Sequence, residues 1–239
     1  MPVFRLNDEL IFPHPEQADA SGLLAVGGDL SPARILFAYT IGVFPWFNDG
    51  EPILWWSPDP RFVLEPESFH CSRSLRKTMR QERYRVSCDS AFENVLFGCA
   101  STPRHGQKGT WLGPAMRTAY TDLFQLGYAH SVEVWEGHEL VGGLYGLALG
   151  RCFFGESMFS WRRDASKVAL AWLVEQLWTL GFTLVDCQMP TAHLASLGGF
   201  GLPRDAYMER LVAAGIEPGK IPDPPEFIPR KEPLIAARP

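Results

Sequence analysis

Residues 151–188 limit what this chain can fold into more than any other stretch. The segment starts Arg151-Cys-Phe-Phe-Gly-Glu-Ser-Met-Phe-Ser, too apolar and β-prone for a surface loop, yet it carries Glu156 in its middle. Asp164-Ala-Ser-Lys then offers an N-cap. Beyond it Leu170, Leu173, Leu177 and Leu180 recur at spacings of three and four, one face of a helix, and Gly181 is a stop signal. Phe182-Thr-Leu-Val is a short buried-strand pattern that ends on Asp186 and Gln188. Strand, helix, strand in this length predicts a βαβ unit. Open α/β sheets build their sites at strand ends, so Glu156 and Asp186 are expected to converge beside an apolar wall.

With 239 residues, 46% hydrophobic and 21% charged, the chain can bury a real core as one large domain or two. Its net charge of −5 argues against wholesale nucleic-acid binding but leaves room for a local basic patch. The five cysteines, at 71, 88, 99, 152 and 187, form no CxxC pair, which fits reduced thiols in a cytoplasmic protein. The first ten residues have no apolar signal core and no segment reaches membrane-spanning length, so a cytoplasmic location and no membrane partner are expected.

Residues 1–65 differ in texture from the rest. Prolines and the Gly27-Gly28 pair cut them into short pieces, and Ser31-Pro-Ala-Arg predicts a capped helix running to about Thr40. Gly42-Val-Phe-Pro-Trp-Phe and Ile53-Leu-Trp-Trp-Ser-Pro-Asp-Pro-Arg are unusually aromatic. Such residues either staple a small domain together or make Tyr39, Trp46 or Trp56 a stacking surface for a base.

Arg73, Arg76, Lys77 and Arg80 fall at i, i+3, i+4 and i+7, a single face if the segment is helical, and Arg83 and Arg85 follow, with Glu82 the only acid among them. A solvated face is the usual explanation of a charge run. Here the like charges repel along the face, a cost that an anionic partner removes, and a phosphate-backbone contact is favoured. Farther on, 90–100 and 115–126 read as helices, 101–110 as a polar loop, and 130–136 with 140–148 as a hairpin turning at Gly137-His138. A helix near 204–214 and an extended Pro-rich tail over 218–239 complete the chain.

No HExxH, cysteine–histidine metal spacing, GxxxxGK[ST] or GxSxG motif occurs, so no metal is expected. Gly142-Gly143 reads as a bulge or close-packing site more than a phosphate loop, and His193 as structural. What remains is an apolar wall of Leu144, Phe153, Met158, Leu170, Leu173 and Val185, with Glu156, Asp186 and Gln188 beside it. That mixture suits a ligand with a hydrophobic side chain and an amine; a core acid hydrogen-bonded to backbone is the bland alternative.

Gly22-Leu-Leu-Ala-Val-Gly-Gly-Asp-Leu-Ser-Pro and the two aromatic motifs above open a longer series. Gly109-Thr-Trp, His130-Ser-Val-Glu-Val-Trp, Leu140-Val-Gly-Gly-Leu-Tyr-Gly and Gly155-Glu-Ser-Met-Phe-Ser follow, then Ala165-Ser-Lys, Asp186-Cys-Gln and His193-Leu-Ala-Ser-Leu-Gly. With these motifs in order, nearly the whole chain resembles the bacterial leucyl/phenylalanyl-tRNA–protein transferases. The resemblance implies an α/β (α+β) chain: a small N-terminal domain over 1–65, then a GNAT-like acyltransferase domain over 66–239 with a mixed sheet flanked by helices. It implies transfer of Leu, Phe or Met from aminoacyl-tRNA to the N-terminal Arg or Lys of a protein, marking that protein for degradation. A monomer is expected. The aminoacyl ester is already activated, so no cofactor, ATP or metal is called for.

By the same resemblance, Tyr39, Trp46 and Trp111 would hold the 3′-terminal adenosine and Glu156 would meet the donor's α-amino group. Leu144, Phe153, Met158, Leu170, Leu173 and Val185 would take its side chain, and Arg73, Arg76, Lys77 and Arg80 the acceptor stem. Asp186 is expected to orient or deprotonate the incoming amine, and Gln188 to hydrogen-bond near the ester. The chain departs from the pattern at Leu173, where relatives can carry an aromatic, in its glycine-rich 198–201, and in a longer tail. Two rival classes are weaker. An acyl-CoA transferase lacks its Gly-rich pyrophosphate loop here, and a mere tRNA- or peptide-binding module has no use for Glu156, Asp186 and Gln188 together.

Overall fold

The computed structural model describes residues 3–81, 83–102 and 111–227. In chain order the elements are β1 (Phe4–Leu6), β2 (Leu23–Gly27), α1 (Pro32–Thr40), β3 (Phe44–Pro45), β4 (Leu54–Trp56) and β5 (Arg61–Leu64). Next come α2 (Arg73–Arg80), β6 (Arg85–Cys88), α3 (Phe92–Ser101), α4 (Pro114–Gln125), β7 (Ala129–Glu136), β8 (Glu139–Leu149) and β9 (Cys152–Ser160). The chain closes with α5 (Ala165–Thr179), β10 (Leu184–Gln188), α6 (Ala192–Ser196), β11 (Phe200–Leu202) and α7 (Arg204–Ala213). The architecture is mixed α/β.

Two sheets organise these elements. Four short strands make the first, in the order β1-β2-β4-β3, and seven make the second, in the order β11-β5-β10-β9-β8-β7-β6. β9 and β10 are parallel neighbours joined through α5, the expected βαβ unit. β5, although within the first 65 residues, pairs antiparallel with β10 in the larger sheet.

Side-chain alternation along the strands divides the core in two. From β8, Val141, Leu144 and Ala148 join a cluster under α5, while Tyr145, Leu147 and Leu149 join a second cluster with α1, α3, α4 and the small sheet. α5 is buried on nearly every side, which is why its sequence is apolar almost throughout. It lies close over the sheet because Gly142 carries no side chain: a Cβ there would stand 2.5 Å from Cβ of Ala165. Gly142 is thus a packing residue, as the sequence favoured.

Some local expectations need correction. Asp164 sits at the head of α5 but with φ 63° and without a capping hydrogen bond; its carboxylate pairs with Lys167 Nζ at 3.0 Å instead. The expected polar loop 101–110 lies, from 103 onward, outside the described residues. The tail is not free over its described part. Tyr128 donates its hydroxyl hydrogen to the Pro222 carbonyl at 2.9 Å, and Phe227 is buried.

Candidate active site

β9 and β10 pair from Cys152 with Leu184 to Phe154 with Asp186 and then part company. β9 continues along β8, while β10 bulges between Asp186 and Gln188 against β5. Gln188 takes φ 61°, a left-handed conformation that a non-glycine residue holds only when its surroundings enforce it. Parting strands leave a wedge, and a cavity of about 440 Å³ fills it, a size suited to a small ligand.

The wall assembled from sequence is there in full: Leu144, Phe153, Met158, Leu170, Leu173 and Val185 all line the cavity. Trp46, Trp111, Glu156 and Gln188 line it too. Trp46 is braced by Trp56, whose indole N–H donates to the Trp46 carbonyl at 2.6 Å with the rings edge to face. Trp56 is thus a support and not itself a cavity residue.

Glu156 is the polar focus. Its Oε1 accepts from the Tyr39 hydroxyl at 2.5 Å and from Gln188 Nε2 at 3.0 Å, and its Oε2 accepts from the Tyr120 hydroxyl at 2.7 Å. Burial pushes the carboxyl pKa up to about 7, against the pull of the two tyrosine hydrogen bonds. Burial, and then the Glu156 charge, raise both phenols, so Tyr39 and Tyr120 act as neutral donors. Tyr39 does not line the cavity; it stands behind Glu156 and holds it.

Asp186 is not a cavity residue either. Its carboxylate is fully buried against Arg61, with Nε at 2.9 and 3.1 Å from the two oxygens and Nη2 at 2.7 Å from Oδ2. Tyr207 donates its hydroxyl hydrogen to Oδ2 at 2.8 Å, and the Gln188 backbone N–H donates to Oδ1 at 2.8 Å. Arg61 lies between the rings of Phe44 and Tyr207 and reaches the Gly42 carbonyl at 3.1 Å. Burial works against the guanidinium's charge, but the Asp186 carboxylate more than offsets it and holds its pKa above the ordinary value. With these donors in place, the Asp186 oxygens have no position left for a ligand amine. The two acids therefore share a strand end but not a task.

The sequence reading missed Tyr120, Arg61 and Tyr207. Each had a local signal: a hydroxyl on the buried face of α4, an arginine heading the apolar run Arg61-Phe-Val-Leu, a tyrosine on the inner face of α7. A buried polar group demands a partner, but the partners lie up to 125 residues away. His193 also lines the cavity, its pKa lowered by burial and then by Lys167. Arg73, Arg76, Lys77 and Arg80 stand apart from the cavity. They are exposed on α2, which buries Leu75, and none forms an ion pair among the described residues. Also among the described residues, no cluster of three or more His, Cys, Asp or Glu is disposed to hold a metal ion, and no helix is long and apolar enough to cross a membrane.

Comparison with known proteins bears on what such a cavity is for. Residues 63–212 match the family model described as leucyl/phenylalanyl-tRNA protein transferase, and residues 28–59 match the model of that enzyme's N-terminal domain. The chain is 53% identical over 227 residues to a leucyl/phenylalanyl-tRNA–protein transferase of Syntrophotalea carbinolica, covering 95% of this chain and 99% of the relative. It is 56% identical over 211 residues to the protein of that name from an Anaeromyxobacter species, covering 88% and 90%. Among solved structures, L-PGS from Bacillus licheniformis aligns with a TM-score of 0.42 at 14% identity, over 64% of this chain and 56% of that one.

Proposed function

Because the chain belongs to the leucyl/phenylalanyl-tRNA–protein transferase family, and is an aminoacyltransferase by that membership, we propose that it moves Leu, Phe or Met from aminoacyl-tRNA onto the N-terminal Arg or Lys of acceptor proteins. The product would then carry a degradation signal. One observation supports this above the others: an apolar cavity whose polar end is a carboxylate gripped by two tyrosines and an amide. That is the complement of an amino acid with an apolar side chain and a free α-ammonium group.

In this reading Glu156 accepts a hydrogen bond from the donor's α-ammonium. Leu144, Phe153, Met158, Leu170, Leu173 and Val185 take its side chain, and the flexible thioether of Met158 adapts to linear and aromatic shapes. Trp46 and Trp111 stack on the terminal adenosine, with Tyr39 acting through Glu156. The acceptor's neutral amine attacks the ester carbonyl carbon. A peptide bond forms, the carbon–oxygen bond to the ribose breaks, and the ribose oxygen takes up the proton that the amine gives up. Gln188 hydrogen-bonds beside the reacting ester. Asp186 serves as a positioning residue: it holds the Gln188 backbone by its N–H and does not touch the amine. Arg73, Arg76, Lys77 and Arg80 carry phosphates of the acceptor stem. In the same reading the residues before β5 form a small domain that supplies Tyr39 and Trp46, while β5 itself belongs to the larger sheet.

The test is transfer of radiolabelled leucine from charged tRNA to a protein with N-terminal Arg, beside a matched protein with N-terminal Ala. Labelling of the Arg protein alone is expected. Tight binding of charged tRNA without labelling would replace the proposal with a binding module.

A further inference from the structure

The tail segment Pro222-Asp-Pro-Pro-Glu-Phe227 ends its described course inside the core. Phe227 is only 8% exposed and belongs to the same apolar cluster as Leu144, Phe153, Leu170, Leu173 and Val185, five of the cavity's wall residues. Its ring stacks on His130 with centroids 4.1 Å apart, lies near-parallel to Phe153 at 6.1 Å, and meets Phe182 edge-on at 6.0 Å. Phe153 is the key intermediary, since it lines the cavity and also touches Phe227. On another side Phe153 rests against β8 where Gly146 leaves it room; a Cβ at Gly146 would lie 2.5 Å from the Phe153 ring. The ring is therefore held by backbone it cannot push and by Phe227, which a proline-rich segment delivers.

From this arrangement we propose that Phe227 is a specificity-setting residue: it fixes Phe153 from behind and thereby sets how deep a donor side chain can enter. This rests on the function proposed above. Interiors are close-packed, so a ring removed next to Phe153 leaves space that Phe153 can move into. The cavity then deepens without any change in the residues that line it. Larger donors gain from the extra depth, while a leucine side chain gains nothing and loses contacts. The latch from Tyr128 to Pro222 holds the segment that brings Phe227 in, so weakening the latch acts in the same direction.

The experiment measures affinity for stable amide-linked leucyl- and phenylalanyl-adenosine, and transfer of Leu and Phe from charged tRNA, in wild type, Phe227→Ala, Phe227→Leu and Tyr128→Phe. Thermal melts accompany each variant. Phe227→Ala is expected to raise the Phe-to-Leu preference on the order of tenfold, the scale on which an apolar pocket senses a methylene. Phe227→Leu, which refills most of the volume, should return the ratio close to wild type, and Tyr128→Phe should shift it slightly the same way. Equal losses for both donors, tracking the melts, would make Phe227 a stability residue only and overturn the proposal. So would an unchanged ratio in folded Phe227→Ala. A wild type that discriminates neither analogue and transfers neither residue would instead remove the function on which the proposal rests.

Discussion

Removing Arg61 should separate the cost of an unpaired buried charge from the cost of a misplaced catalytic group. The Asp186 carboxylate receives three contacts from Arg61, one from Tyr207 and one from the Gln188 backbone. Arg61→Met leaves it with the last two, at zero exposure and with no cation. Breaking a buried pair from one side costs about 3–5 kcal/mol, a large share of the roughly 5–15 kcal/mol that keeps a domain folded. Tyr207→Phe removes a single hydrogen bond to a charge and should cost about 2 kcal/mol. The informative variant is Arg61→Met combined with Asp186→Leu. Replacing both partners by apolar groups removes the stranded charge, so most of the stability should return. Transfer activity should not, because the Gln188 N–H then has no acceptor and the left-handed turn at Gln188 is no longer enforced. Urea unfolding gives the stabilities and single-turnover transfer gives the rate. The reasoning fails if Arg61→Met costs under about 1 kcal/mol, or if the double variant transfers at the wild-type rate.

Other expectations are simpler. Glu156 titrates near 7 in the folded chain against an ordinary 4.5. Its contribution to stability is thus fully present below about 4.5 and is lost as pH rises towards 7, whereas activity that needs its charge should climb through about 7. Glu156→Gln should flatten the stability profile across that window and abolish the rising limb of kcat/KM; a limb that persists would assign it to another group. Arg76→Ala with Lys77→Ala should weaken tRNA binding and reduce the log–log salt slope by roughly 1.5–2, and an unchanged slope would return that face of α2 to simple solvation. Gly146→Ala would set a Cβ 2.2 Å from the Phe154 carbonyl oxygen. It should cost about 3 kcal/mol or more as overpacking, and a melt within a degree of wild type would contradict the close packing of β8 against β9.

Patterns that repeat locally were legible in the sequence. The spacing of Leu170, Leu173 and Leu177 predicted α5, Gly181 ends it with φ 79°, and alternation across Gly137-His138 predicted the β7–β8 hairpin. Most of the cavity wall followed from the same logic, because residues on one face of a βαβ unit meet whatever else the chain does. The fate of Asp186 was not legible. It shares a strand end with Gln188, but the bulge between them turns the two side chains to different uses, and the cation that claims Asp186 arrives from β5. Register and bulges depend on pairing between distant segments, which no local periodicity encodes. Tyr120 escaped for the same reason: its helix was predicted, but its partner on β9 was not visible from α4 alone.

The partition of the core by the larger sheet reaches beyond packing. Leu144, Phe153, Leu170, Leu173 and Val185 belong to the cluster under α5, whereas Phe44, Trp111 and Tyr145 belong to the cluster on the opposite face, and all of them border one cavity. Free energies of substitutions combine additively when the sites share no neighbours and couple when they do. In the function proposed above, the donor's side chain would be met by one core and part of the nucleoside platform by the other, so substitutions buried deep within one core should combine additively with those deep in the other, and only residues at the shared cavity should couple.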